Sequence, residues 1–129
     1  MTDEELEELR KRKIAEMERK LQVPDSPVII DGPERFEEVL ETYEVVIVDF
    51  HAEWCGPCKQ QEPILESIAS TTDAVVAKVD IDQHQGIAQS HGVRSVPTLI
   101  LFADGEPTER LVGVQSAPIL KEHIEQLSA

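Results

Sequence analysis

The sequence has no apolar run of membrane-spanning length, no second Cys-x-x-Cys, no internal repeat and no low-complexity segment. It is also short of bases, with 12 lysines and arginines against 26 aspartates and glutamates. Each shortage excludes a class of function. Without an apolar stretch of about 20 residues no helix is expected to cross a bilayer. The start, Met1-Thr2-Asp3-Glu4-Glu5, lacks the basic segment and apolar core of a secretory leader, so a cytoplasmic protein is expected. With only two cysteines, a structural zinc would need its remaining ligands from His51, His84, His91 and His123, a poor match to the usual donor patterns, so no metal is expected. The formal charge of −14 is uneven: residues 1–23 hold seven acids and six bases, so nearly all the excess lies in the rest of the chain. A surface of that sign disfavours nucleic acid and anionic membranes, both of which call for basic patches. Salt screens self-repulsion, so the same surface suits a high-salt cytoplasm and reads either as that of a halophilic protein or as that of an ordinary acidic cytosolic one.

Both cysteines lie in one stretch, Trp54-Cys55-Gly56-Pro57-Cys58, after the apolar run 45–50 and before a helical pattern. Two thiols at this spacing can close a small ring and reopen it without unfolding the domain. Closing so short a loop removes little chain entropy, so the pair is a poor staple, and in a reducing compartment it is better read as chemistry. A helix start presents unpaired N–H groups and the positive end of the helix dipole, which favour a thiolate. Cys55, at the first turn, is therefore expected to be the nucleophile. Cys58, one turn deeper, is placed to attack the Cys55 sulfur once that is joined to a substrate. Pro57 fixes φ at a position where a helix tolerates the missing N–H.

The remaining pattern predicts one domain over residues 28–129, a linker at 24–27 (Pro-Asp-Ser-Pro), and an amphipathic helical extension over 1–23 with Leu6, Leu9, Ile14, Met17 and Leu21 on one face. That extension reads either as a docking or self-association helix or as a solvated one. Strands are expected at 28–30, 45–50, 74–79, 98–102 and 110–113. Helices are expected at 34–43, after the cysteines with a kink at Pro63, around 87–91, and after Ser116 with Ile119, Leu120, Ile124 and Leu127 inward. The order is βαβαβαββα, an α/β fold with a central mixed β-sheet flanked by helices on both faces. The run 45–50 is too continuously apolar to be anything but a central strand. Asp104-Gly105 is a hairpin signal.

Over residues 28–127 the chain resembles the thioredoxin family. The resemblance rests on Val48-Asp49-Phe50, Ala52-Glu53-Trp54-Cys55-Gly56-Pro57-Cys58-Lys59, Lys78-Val79-Asp80, Val96-Pro97-Thr98 with Phe102, Asp104-Gly105 and Val112-Gly113, in this order and at family-like intervals. It implies the thioredoxin fold and a reversible Cys55–Cys58 dithiol/disulfide with no other cofactor. Cys55 would be the nucleophile and Cys58 the resolving thiol, with Gly56 and Pro57 completing the motif. Asp49 resembles the family's internal carboxylate, which takes the proton of the resolving cysteine, and Lys78 the lysine that approaches it. Pro97 corresponds to a cis proline that lets Val96 offer its backbone to an extended substrate. Trp54, Gly56, Pro57, Val96, Val112 and Gly113 would form the contact surface around the sulfur. Cys-Gly-Pro-Cys is the motif of reducing members, so the resemblance implies protein disulfides as substrates and a flavin-dependent thioredoxin reductase as electron donor; a monomer is expected. His51 departs from the family, which usually has an aromatic residue there. It is read as a hydrogen-bonded packing substitute, or as a group titrating near neutral pH; His84, His91 and His123 are read as surface or helix residues.

Two alternatives stay open at this stage. A disulfide isomerase or oxidase would use the same thiols at a more oxidising potential. A binding subunit would use the extension to recruit a partner and leave the thiols incidental.

Overall fold

The computed structural model describes residues 1–128, apart from the side chains of residues 16, 17 and 19–22. The elements are α1 (Asp3–Gln22), β1 (Val28–Ile29), α2 (Pro33–Thr42), β2 (Val45–His51), α3 (Gly56–Thr71), β3 (Val75–Asp80), α4 (Gln85–Ser90), β4 (Thr98–Ala103), β5 (Glu106–Val112) and α5 (Ala117–Ser128). From β1 onward their order is the one the sequence pattern predicts.

The strands form one sheet in the order β1-β3-β2-β4-β5. Strands β1, β3 and β2 run parallel, while β4 and β5 are antiparallel to their neighbours. Strand β2 lies in the middle, which is why 45–50 has no polar alternation: both its faces are covered. Val46, Val48 and Phe50 point to a core shared with Phe36, Val39 and Leu40 of α2 and Ile87 and Ala88 of α4. Val45 and Ile47 point the other way, to Leu65, Ile68 and Ala69 of α3 and Leu120 and Ile124 of α5. By the two-residue period of a strand, Asp49 and His51 belong to this second face. Each fully buried aliphatic or aromatic side chain contributes about 1.5–3 kcal/mol.

Local chemistry sets the ends of elements. The hairpin between β4 and β5 turns through Asp104 (φ 51°) and Gly105 (φ 81°), the two consecutive positive φ values of a type I′ turn, hence the Asp-Gly pair. Helix α1 opens with a capping box: the Glu5 N–H donates to Thr2 Oγ1 at 3.2 Å and the Thr2 N–H to Glu5 Oε2 at 3.4 Å. Helix α3 runs unbroken through Pro63. The Ser116 carbonyl accepts the Leu120 N–H, which places Ser116 at the start of α5.

Four sequence expectations change. Strand β5 begins at Glu106, earlier than 110, because its exposed, charged residues give no apolar signal. Ile119 is 45% exposed, so only Leu120 and Ile124 of that helix are fully inward. His91 is no simple surface residue: its ring meets Phe36, Phe102 and Phe50 at centroid distances of 5.3, 5.7 and 6.1 Å, and burial lowers its pKa below the ordinary value, with the Arg110 charge acting in the same direction. In α1, Leu6 and Ile14 are exposed and Leu9 is half-buried, while the side chains of Met17 and Leu21 lie outside the described residues.

Candidate active site

Strand β2 delivers the chain to the edge of the core at His51, and the loop Ala52–Trp54 turns it into α3. Cys55 is the N-cap of that helix, with extended φ and ψ of −90° and 110°. The Cys58 N–H, one of the orphan donors of the helix start, donates to Cys55 Sγ at 3.2 Å. The two cysteines form a disulfide with Cα atoms 5.3 Å apart. Both are buried, packed with Ala52 and against Ile81 and Val96. A sulfur that accepts a backbone N–H at a helix N-terminus is held where negative charge is favoured.

The expected contact residues gather on three loops. Trp54 is 70% exposed, yet fixed: its Nε1–H donates to Asp82 Oδ2 at 2.9 Å. Asp82 is itself set by a turn in which Asp80 Oδ1 accepts the N–H groups of Asp82 and Gln83 at 2.9 and 3.3 Å. Val96 packs on the cysteine pair, and the Val96–Pro97 bond is cis. The Gly113 N–H donates to the Pro97 carbonyl at 2.9 Å, joining that loop to the end of β5, where Val112 is exposed. Gly113 has φ 89°, a conformation that glycine adopts without a Cβ penalty.

Beneath the helix lies Asp49, 1% exposed, on the sheet face that α3 covers. Neither of its carboxylate oxygens has a hydrogen-bond partner among the described residues. Lys78 stands opposite Asp49 in the parallel β2–β3 register. Its Nζ, however, pairs with Glu62 Oε1 of α3 at 3.4 Å, so its charge reaches Asp49 without a bond to it. Burial therefore dominates and raises the Asp49 pKa from 3.8 to about 7, with Lys78 pulling it down and Glu62 pushing it up. Close to neutrality, this carboxyl group can hold or release a proton inside the fold.

His51 faces Asp80 in the same register. Burial, then Lys78, lower its pKa below the ordinary imidazole value, against the opposing charges of Asp80, Glu62 and Glu53, so its surroundings favour the neutral ring. A cavity of about 190 Å³ lies beside it, lined by Ile29, Ile30, His51, Glu53, Lys78, Asp80 and Gln83.

Three residues of the site escape sequence reasoning. Glu62 and Asp82 act on partners 16 and 28 residues away, and nothing local marks them. Gln61 is fully buried in α3, where a glutamine in a helix otherwise reads as surface.

The family model for thioredoxin matches residues 27–126. A thioredoxin of Chlamydia caviae is 45% identical over 102 residues, which cover 78% of this chain and 99% of that one. A bifunctional thioredoxin reductase/thioredoxin of Mycobacterium leprae is 45% identical over 87 residues, 66% of this chain and 19% of that longer one. Among solved structures, a mutant thioredoxin from Halobacterium salinarum superposes with a TM-score of 0.80 at 47% identity, covering 82% of this chain and 94% of the other. A disulfide at the head of α3, its surrounding loops and these likenesses agree: the chain belongs to the thioredoxin family and is a thioredoxin-type thiol-disulfide oxidoreductase that reduces protein disulfides.

Proposed function

We propose that the protein is a general reductant of protein disulfides in the cytoplasm, working as a monomer and re-reduced by a flavin-dependent thioredoxin reductase. The observation that carries the chemical reading is the Cys55 sulfur at the start of α3 accepting the Cys58 N–H. In the reduced protein the Cys55 thiolate attacks a substrate disulfide, forms a mixed disulfide and expels one substrate thiolate. Cys58 then gives its proton to the Asp49 carboxylate and attacks Cys55 Sγ. The second substrate thiolate leaves and the Cys55–Cys58 disulfide forms. Two electrons have passed to the substrate, whose thiolates take their protons from Asp49 and water. The Asp49 pKa of about 7 suits the transfer, since an acceptor works best near the operating pH. Lys78, held by Glu62, adjusts that value from a distance.

In this reading Trp54, Gly56, Pro57, Val96, Pro97, Val112 and Gly113 form the rim on which an extended substrate segment lies, with backbone groups providing tolerance for sequence. Residues 28–129 are the working domain, 24–27 the linker and 1–23 an extension. The family match beginning at residue 27 supports that division. The fused Mycobacterium leprae relative, named for both activities, supports a thioredoxin reductase as the electron source.

The test is reduction of insulin disulfides driven by thioredoxin reductase and its reduced nicotinamide cofactor, together with the potential of the Cys55–Cys58 pair. Thioredoxins as a class lie near about −270 mV and disulfide isomerases near about −180 mV. Reductase-driven turnover with a potential near the first value supports the proposal. A potential near the second, or activity surviving loss of both thiols, overturns it.

A further inference from the structure

Gln61 has no part in the chemistry described above, yet it is fully buried and uses both ends of its amide. Its Nε2 donates to the Gln115 carbonyl at 3.0 Å, and its Oε1 accepts the Gln115 N–H at 2.7 Å. A backbone N–H only donates and a carbonyl only accepts, so the amide orientation is fixed by its partner. The pair spans 54 residues of sequence and ties α3, one turn beyond Cys58, to the segment that follows β5. The linkage continues from there. Gln115 Nε2 donates to the Val112 and Gly113 carbonyls at 3.3 and 3.2 Å, and the Gly113 N–H donates to the Pro97 carbonyl at 2.9 Å. One chain of hydrogen bonds thus runs from the cysteine helix through Gln61, Gln115 and Gly113 to Pro97. No regular secondary structure holds residues 113–116. Without the amide, two backbone groups at the half-buried Gln115 would lose their partner.

We propose that Gln61 is a positioning residue for substrate recognition: it locks the Val112–Gln115 segment against the cysteine helix and so sets the affinity for protein disulfides. An apolar side chain would fill the same space without fixing the segment; a glutamine fills it and holds both backbone groups. The proposal rests on the reading of Val112 and Gly113 as part of the substrate rim.

The test is steady-state reduction of insulin and of a small aromatic disulfide by the full chain carrying Gln61→Leu, Gln61→Glu or Val112→Asp, each checked for folding by thermal melts. Gln61→Leu is expected to raise KM for insulin about fivefold, with kcat and the small-disulfide rate changed less than about twofold, the pattern of lost binding rather than lost chemistry. Gln61→Glu keeps the acceptor for the Gln115 N–H and loses the donor, so its KM lies between the two. If Gln61→Leu does not fold, a raised insulin KM in Gln61→Glu supports the proposal, and an unchanged one overturns it. A lower melting temperature with parental KM in folded variants would make Gln61 merely structural. Val112→Asp separates the two readings: if it raises KM and Gln61→Leu does not, the lock fails alone; if it leaves KM unchanged, the rim reading fails.

Discussion

The two faces of β2 differ in one residue's worth of chemistry. On one side Val46, Val48 and Phe50 meet α2 and α4 in an uninterrupted apolar core. On the other, Val45 and Ile47 begin an equivalent core against α3 and α5, and the series then breaks at Asp49. The same strand, equally buried on both sides, holds a hydrocarbon on one face and an unpartnered carboxyl group on the other. Packing alone would put a valine there. The α2/α4 face is apolar throughout, whereas the α3 face gives up stability to hold an ionisable group under the cysteine helix, which supports the proposed role of Asp49 as proton acceptor.

The comparison breaks most sharply at the thiols. Cys55→Ser is expected to abolish disulfide reduction, and Cys58→Ser to stop turnover while trapping substrates on Cys55, seen as mixed disulfides on non-reducing gels. Trapping through Cys58 in a Cys55→Ser protein would reverse the assignment. On the opposite face, Phe50→Ala is expected to remove about 3–5 kcal/mol of stability by opening a cavity, read from denaturant melts, with the insulin reduction rate of the folded fraction within about twofold of the parent. Equal loss of activity would show that the faces do not divide their labour.

Asp49→Asn runs the other way. The folded carboxyl has a pKa of about 7 against 3.8 in the unfolded chain, so the folded state binds the proton more tightly. Its ionisation costs nothing below pH 3.8, where both states are protonated. The cost grows as pH rises from there to 7 and is constant above, reaching about 4 kcal/mol. An asparagine avoids that cost but leaves an unpartnered amide, worth about 1–3 kcal/mol. The net expectation at pH 8 is a gain of about 2 kcal/mol that shrinks as pH falls toward 4, measured by urea melts at several pH values. A gain independent of pH would refute the assigned cause.

The smallest effect concerns the surface common to both faces. Molar potassium chloride is expected to raise the melting temperature by screening repulsion among the acids outside residues 1–23. Deleting residues 1–23 should leave that response and the activity nearly unchanged. An unchanged or lower melting temperature in salt would remove the argument for a high-salt environment, and an activity collapse in the folded truncated protein would assign the extension a chemical role.

How much of this can be read from the sequence follows the range of each interaction. The cysteine pair, the central strand and Asp49 within it are visible because their signals are local: a spacing, an unbroken apolar run and a charge inside it. The hairpin is visible for the same reason, since positive φ values at Asp104 and Gly105 demand an Asp-Gly type of pair. Gln61 is not, because a polar residue in an amphipathic helix gives the same pattern whether it faces water or a backbone 54 residues away. Nor is the Lys78–Glu62 pair, whose existence depends on how α3 lies over β3. The resemblance points Lys78 at Asp49, and the register agrees, but where its amine goes is a matter of competition between two carboxylates. His91 reads as a surface or helix residue because its apolar neighbours come from three different elements. The capping box at Thr2 and Glu5 is a local signal too, hidden only by the weak amphipathic pattern that follows it.

The central claim is that the carboxyl group of Asp49 is kept in the core to take the proton of the resolving thiol. Its most direct test is the stopped-flow rate of mixed-disulfide resolution, followed from about pH 5 to 9 in the parent and in Asp49→Asn. The parental rate is expected to rise through an inflection near pH 7, where Asp49 becomes ionised, and the variant to be slower and to lack it. The same inflection and the same rate in the asparagine protein would contradict the claim.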